Sequence, residues 1–411
     1  MSFRRLGRGV TAVVTVLAGF AACANSEGDP ATPELDFDAG TEDSPIPTPT
    51  DDVEGGSSNE DAGARSDSST EVEAGLPACT VDWCDTALPI PDGGSLRLMD
   101  VWVGSSTNVW TVSAEGKVLH WDGTTWSVVW STDKALYGVW GDQDGTIWVV
   151  GAAGTIFSGP NGASFTAVPN GGVTLDLVGI CEGPRDAEHA RSLAIVGAGN
   201  RVLQWNGTTA ENGDPVWDVS TFAPTAVWDV GPVFHAISCV GHDVWVSGMW
   251  SESGDSGGRI FVRYDGEPSW TRIRPMPTDL GAANEGAYWA IWAAGPEHVW
   301  VRGSHNITYA TPNTDGGAPL WRSETSATGI TTTTDRRRAA AWGSNPSDVW
   351  IASNSGRIHH WNGSKLSITA TAKNWDVLSS NLHGVHGSGP NEVWVVGDNV
   401  ALRRNQDAGT K

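Results

Sequence analysis

One short unit, a turn followed by a tryptophan-centred apolar run, recurs along this chain, and a chain that repeats itself must fold as a repetition. The unit reads MDVWVGSSTNVWTVS, YGVWGDQDGTIWVVG, AISCVGHDVWVSG, WAIWAAGPEHVWVRG, AAAWGSNPSDVWIAS and HGVHGSGPNEVWVVG. A weaker copy, LVGICEG followed after an insertion by SLAIVG, sits between the second and third. The second anchor of the seven copies falls at Trp110, Trp148, Ala194, Trp245, Trp300, Trp350 and Trp394. That period, roughly 40 to 55 residues, fits the blades of a propeller and exceeds the turns of short solenoids.

Each copy carries the logic of a small antiparallel sheet. A short apolar run ending at Trp140 meets the turn GDQDG and then TIWVVG, rich in β-branched and aromatic residues, which together read as a hairpin. A third run follows (KVLHWDG, RVLQWNG, RIHHWNG), and a fourth such as TWSVVWS or SWTRIRP completes four strands. The paired tryptophans 102 and 110, 140 and 148, 292 and 300, and 342 and 350 share one spacing, so they are read as wedges packed between twisted sheets. With 51 Gly and few long runs at helical spacing, helices are not expected. The last copy stops after three strands, which would leave an unpaired edge. The segment CTVDWCDTALPIP, Cys79 to Pro91, carries a Trp at the place of a fourth strand and is expected to close the ring. The fold expected is all-β: a seven-bladed β-propeller of four-stranded antiparallel blades over residues 77–407, closed by an N-terminal strand; the competing count is six or eight blades, if the weak third copy is misread or another is hidden.

The first residues read as an export address. Arg4, Arg5 and Arg8 precede an apolar run from Val10 to Ala22, too short for a membrane span and shaped like a secretory signal, residues 1–22. The exit GFAACANS resembles the lipobox of bacterial lipoproteins, which implies acylation of Cys23; Ala22 to Ala24 also satisfies ordinary signal cleavage. Residues 23–76 are Asp, Glu, Ser, Thr, Pro and Gly with Arg65 the one basic residue, a composition unable to bury enough surface to order itself. They read as an acidic tether. If Cys23 is lipidated, Cys79, Cys84, Cys181 and Cys239 remain in an oxidising compartment, where pairing is expected. Cys79 and Cys84 close a short loop; Cys181 and Cys239 pair only if the fold brings them together. The net charge of −23, with no basic stripe, argues against nucleic acid as partner.

The repeat units resemble the Trp-rich propeller repeats of secreted lipoproteins from Gram-negative, myxobacterial-type bacteria, and more distantly tectonin-type sugar-binding propellers. That resemblance covers about residues 95 to 405 and implies the architecture more than an activity. The sialidase pattern Ser-x-Asp-x-Gly-x-x-Trp is not met in the expected turn.

Catalytic motifs are missing: there is no G-x-S-x-G, H-E-x-x-H, P-loop or EF-hand loop, and no cofactor or metal ligand set is legible. DQDG at Asp142 to Gly145 reads as an ordinary turn rather than a calcium loop, and His359 and His360 point to opposite faces of a strand. The informative feature is asymmetry. Long connections at Phe222 to Phe234, Met249 to Gly258, Pro275 to Tyr288 and Ser323 to Arg338 fall on one face, in consecutive blades, where a recognition surface is expected. Within them Trp250, Trp228 and Trp289 lie outside the repeated core positions, Trp250 being read as an exposed stacking residue. Glu252, Asp255, Glu285, Arg336, Arg337 and Arg338 are candidate polar contacts. The expected function is a membrane-tethered, extracytoplasmic binding module for a glycan, envelope polymer or protein, facing the periplasm or the cell surface. The alternative is a propeller hydrolase or lyase acting on polysaccharide, which would need converging carboxylates at the channel mouth.

Overall fold

A computed structural model describes residues 79–405 except 223–229, 253–254, 274–285, 305, 326–338, 370 and 374–375. The chain divides into two units, Met1–Thr70 and Glu71–Lys411, and the first lies wholly outside the described residues, as do Cys23 and the tether. In the second unit seven four-stranded antiparallel sheets follow one another as blades. Their innermost strands are Leu98–Ser105, Leu136–Gly141, Leu177–Glu182, Val230–Val240, Tyr288–Ala293, Ala340–Asn345 and Leu382–Gly389, blades 1 to 7 in order. The seventh sheet owns three strands and takes its fourth from Trp83–Asp85, which runs antiparallel to Val400–Arg404 with Trp83 opposite Arg404. The closing strand is anchored by Trp83, 1% exposed, whose ring meets Trp350 of blade 6 edge-on at 5.4 Å and whose indole N–H donates to Thr369 Oγ1 at 2.9 Å.

The repeated residues explain themselves locally. The second-strand tryptophans are buried, and in blades 1, 6 and 7 the indole N–H donates to a side chain two residues earlier: Trp110 to Asn108 (2.7 Å), Trp350 to Asp348 (3.1 Å) and Trp394 to Glu392 (2.7 Å). In blades 1 and 6 a third-strand histidine stacks on the same ring and bonds the same acceptor: His120 on Trp110 at 4.2 Å, His360 on Trp350 at 3.8 Å. The neighbour His359 faces the other way and is 3% exposed, as strand alternation requires.

The first-strand tryptophans do a different job, at the seams between blades. An added Cβ on Gly141 of blade 2 would stand 2.5 Å from the Trp102 ring of blade 1. Likewise Gly343 receives Trp292 at 2.8 Å and Gly387 receives Trp342 at 2.6 Å. The V-W-G cadence is therefore a ring laid across the glycine of the next blade. Where the cadence fails, another device occupies the same place. Blade 3 has Cys181 at the Trp position and blade 4 has Cys239 at the Gly position, and the two form a disulfide across 58 residues. Blade 4 has Ser238, whose Oγ accepts the Ala293 N–H of blade 5 at 3.2 Å. At the seam that closes the ring, blade 1 carries Val103 instead of Gly and blade 7 carries the smaller His386, whose Nδ1 accepts the Val103 N–H at 3.0 Å. The second disulfide, Cys79–Cys84, closes a local loop at the closing strand.

Candidate functional site: the mouth of the central channel

The innermost strands enclose a channel of about 680 Å³. At one end it is lined by Trp140, Trp292, Trp342 and His386, the seam residues, together with Cys181 and Cys239. Burial pushes the His386 imidazole down to about 3, so the ring is neutral at ordinary pH. The other end, on the face that carries the connections between blades, is built by a repeated irregularity. In six blades the innermost strand shifts register near its start, skipping Met99, Tyr137, Val178, His235, Trp289 and His383. A bulge leaves one residue unpaired and re-aims it. All six of these residues line the channel.

The residue after each bulge is small because the next blade stands close: a Cβ on Gly138 would meet Ile180 at 3.3 Å, one on Gly179 would meet Ile237 at 3.0 Å, and one on Gly384 would meet the Asp100 Cα at 2.9 Å. In blade 1 that place is taken by Asp100, whose carboxylate accepts the N–H of Val101 (2.9 Å) and of Val139 in blade 2 (3.0 Å). Asp176, the other carboxylate of the lining, accepts the Ala153 N–H at 2.9 Å. His383 turns its Nε2 to Asp398 at 3.0 Å. The mouth groups aromatic and thioether side chains among its polar ones: Trp289, half-buried, lies against the tilted His235 ring at 4.2 Å and donates its indole N–H to Ser304 Oγ at 3.3 Å, beside Tyr137 and Met249 and the buried Met99. Among the described residues the lining holds no lysine, arginine or glutamate, and each of its two aspartates accepts from backbone N–H groups.

The residues singled out in the sequence separate cleanly. Trp289 is in the mouth. Trp250 is not an exposed residue: it is 7% exposed and packs on Phe261 at 5.4 Å, in a cluster with Val196 and Val202 of blade 3. The reason is that the described residues of this stretch are strand. Asp243–Glu252 and Asp255–Arg263 extend as one long hairpin, Trp250 opposite Gly257 and Glu252 opposite Asp255, so strand alternation carries Trp250 inward on the same face as Val246 while Met249 reaches the channel. Nothing is described of the Glu252 and Asp255 side chains, and Trp228, Glu285, Arg336, Arg337 and Arg338 lie outside the described residues. Sequence reasoning missed Met99, Tyr137, Val178, His235 and His383. Their signal was present, since one position varies from copy to copy between a repeated large apolar residue and a repeated small one.

On the opposite face the DQDG turn holds no open carboxylate cage. Asp142, 6% exposed, accepts the indole N–H of Trp148 at 3.0 Å and pairs with Arg185 at 3.1 Å and with Arg191. Arg191 also grips Asp144 at 2.7 Å and lies over the Trp205 ring at 4.9 Å. Both arginines come from the insertion in the weak third copy, which is thereby fastened to blade 2.

No family model matches the sequence. No curated protein matches it either. Solved structures do match in fold. YCF48 from Cyanidioschyzon merolae superposes with a TM-score of 0.56 at 15% identity, over 80% of this chain and 99% of that one. YCF48 bound to D1 peptide gives 0.53 at 14% identity, over 80% and 96%. The WD40 repeats of RRP9 give 0.57 at 12% identity, over 80% and 98%. Identities this low establish shared architecture alone. The chain is a seven-bladed β-propeller of the architecture that YCF48 and WD40 domains share, strapped shut by its own N-terminal strand.

Proposed function

We propose that this propeller is a protein-interaction module that takes an extended segment of a partner protein across the channel mouth, and that it works tethered outside the cytoplasm through an acylated Cys23. The observation that carries the reading is the ring of bulged residues: rigid inner strands present Trp289, His235, Tyr137 and Met99, with Met249 beside them, around one concavity. Aromatic anchors and adaptable methionine side chains over a preformed cavity are the chemistry of peptide capture. One fold neighbour, YCF48, is bound to D1 peptide, which gives the reading a precedent in this architecture. The polysaccharide hydrolase reading finds less support, because Asp100 and Asp176 are engaged by backbone N–H groups rather than set as a catalytic pair. The signal sequence, the lipobox-like GFAACANS and the acidic stretch after it support the tether, and the repeats remain similar to those of Trp-rich envelope lipoproteins.

The test is capture from envelope extract on the immobilised full chain, followed by affinity measurement with synthetic peptides spanning each captured protein. Binding of one peptide that weakens at least tenfold in Trp289→Ala supports the mouth as the site. Binding to a glycan array and to no peptide, or equal affinity in Trp289→Ala, would overturn it. Palmitate incorporation that disappears in Cys23→Ala tests the anchor separately.

A further inference from the structure

On the face away from the channel mouth, blades 3 and 4 bring two imidazoles and a carboxylate together. Asp186 and His189 come from the insertion between the first two strands of blade 3, which Arg185 and Arg191 fasten to blade 2; His242 comes from the matching turn of blade 4. His189 Nδ1 lies 3.1 Å from one Asp186 oxygen and His242 Nε2 lies 2.8 Å from the other. The two rings stack with centroids 3.6 Å apart and planes 19° apart. The second His189 nitrogen, Nε2, faces Asp265 Oδ1 at 3.0 Å, and the Asp265 backbone N–H is in turn held by Asp243 at 2.9 Å.

Proton counting makes this arrangement unusual. A neutral imidazole has one N–H, yet both His189 nitrogens face carboxylate oxygens, so both contacts are satisfied only by an imidazolium or by a cation replacing one proton. A charged His189 would lie face to face with a second imidazole that also reaches for Asp186. The buried Nδ1 of His242 meanwhile has no hydrogen-bond partner. We propose that Asp186, His189 and His242 form a divalent transition-metal site, of zinc type, in which the ion replaces the protons between the two imidazoles and their shared carboxylate. The ligand atoms already lie within 4.8 Å of one another, against the ~3.4 Å separation that tetrahedral bonds of ~2.0–2.1 Å require, a difference that side-chain rotation covers. His189 then keeps Nε2–H for Asp265, the carboxylate–histidine–metal relay that orients a ligand and raises its basicity. Imidazole with carboxylate suits zinc better than calcium or magnesium, and two histidines with one carboxylate leave a fourth position toward solvent for water or a donor from a partner.

The test uses the full chain, stripped with a chelator, and Zn²⁺ alone titrated against a chromophoric competitor at pH 7.5. One equivalent should be taken up, at least tenfold more weakly in His189→Ala and in His242→Ala, and about tenfold more weakly in Asp265→Asn. Co²⁺ substitution should give visible bands that both histidine variants lose. Metal-free thermal melts identify any variant that has failed to fold, and in that event Asp186→Asn replaces it in the comparison. No uptake of one equivalent, or equal uptake in wild type and in folded variants of both histidines, would show a cluster held by protons alone and overturn the proposal.

Discussion

Replacing Gly141 with alanine should damage a seam while leaving the backbone of its own blade untouched. The position lies in an ordinary strand and is not among the residues with positive φ, so only contact decides the outcome. An alanine Cβ would stand 2.5, 2.6 and 2.7 Å from three carbons of the Trp102 ring, against the ~3.5–4.0 Å at which carbons rest. The ring must retreat by about 1 Å in a packed interface, an overpacking that costs about 1–3 kcal/mol. The protein also supplies its own rescue. At the closing seam Val103 sits where blades 2, 6 and 7 carry glycine, and the preceding blade has His386 in place of tryptophan. The pair Trp102→His with Gly141→Val rebuilds that seam between blades 1 and 2. Each single change should destabilise, Trp102→His by about 2–4 kcal/mol through the lost ring, whereas the double variant should fall short of the sum by about 1 kcal/mol or more. Calorimetric melts at one fixed scan rate measure all four members of the cycle. Additivity within about 0.5 kcal/mol, or a neutral Gly141→Ala, would show that the W-G cadence is not a packing pair and would refute this account of the repeat.

The Cys181–Cys239 disulfide spans 58 residues, so Cys181→Ser with Cys239→Ser should lower stability by up to about 4 kcal/mol through the freed unfolded chain, read as a drop in melting temperature that reductant reproduces in wild type. Burial pushes His386 down to about 3, and burial with Arg302 and Arg357 pushes His359 down to about 4. Both histidines are held neutral in the folded state and take a proton on unfolding below their ordinary value of 6.5, so their contribution is complete above that pH. It is lost as pH falls from there toward 4 and below, at about 1.4 kcal/mol per pH unit for each group. His386→Asn, which keeps an acceptor for the Val103 N–H, should flatten the stability-against-pH curve by one proton between pH 6 and 4; parallel curves would remove His386 from the acid response.

Much of the architecture was legible because the chain writes it seven times. The period, the alternation within each run and the three strands of the last copy point to four-stranded blades, six to eight in number, with a closure from the N-terminal side; the structure sets the number at seven, and the strand at Trp83–Asp85 supplies the closure. The site was only half legible. Trp289 stood out as a tryptophan off the repeated positions, but Trp250 stood out for the same reason and is core, because a stretch rich in Gly and Ser continues as a hairpin instead of looping outward. The bulges that aim Tyr137 and His235 into the channel change strand register by one residue, and register depends on the partner strand.

Sequence by itself determined the unit: which runs pair, where turns fall, and that tryptophan followed by glycine would recur. Tertiary structure decided what meets across blades. Cys181 finds Cys239, Trp102 finds Gly141, and Asp186 and His189 find His242, in each case because ring closure sets neighbouring blades at a fixed angle. No local pattern encodes such contacts. They join residues dozens of positions apart, and their distance is fixed by packing around the whole ring.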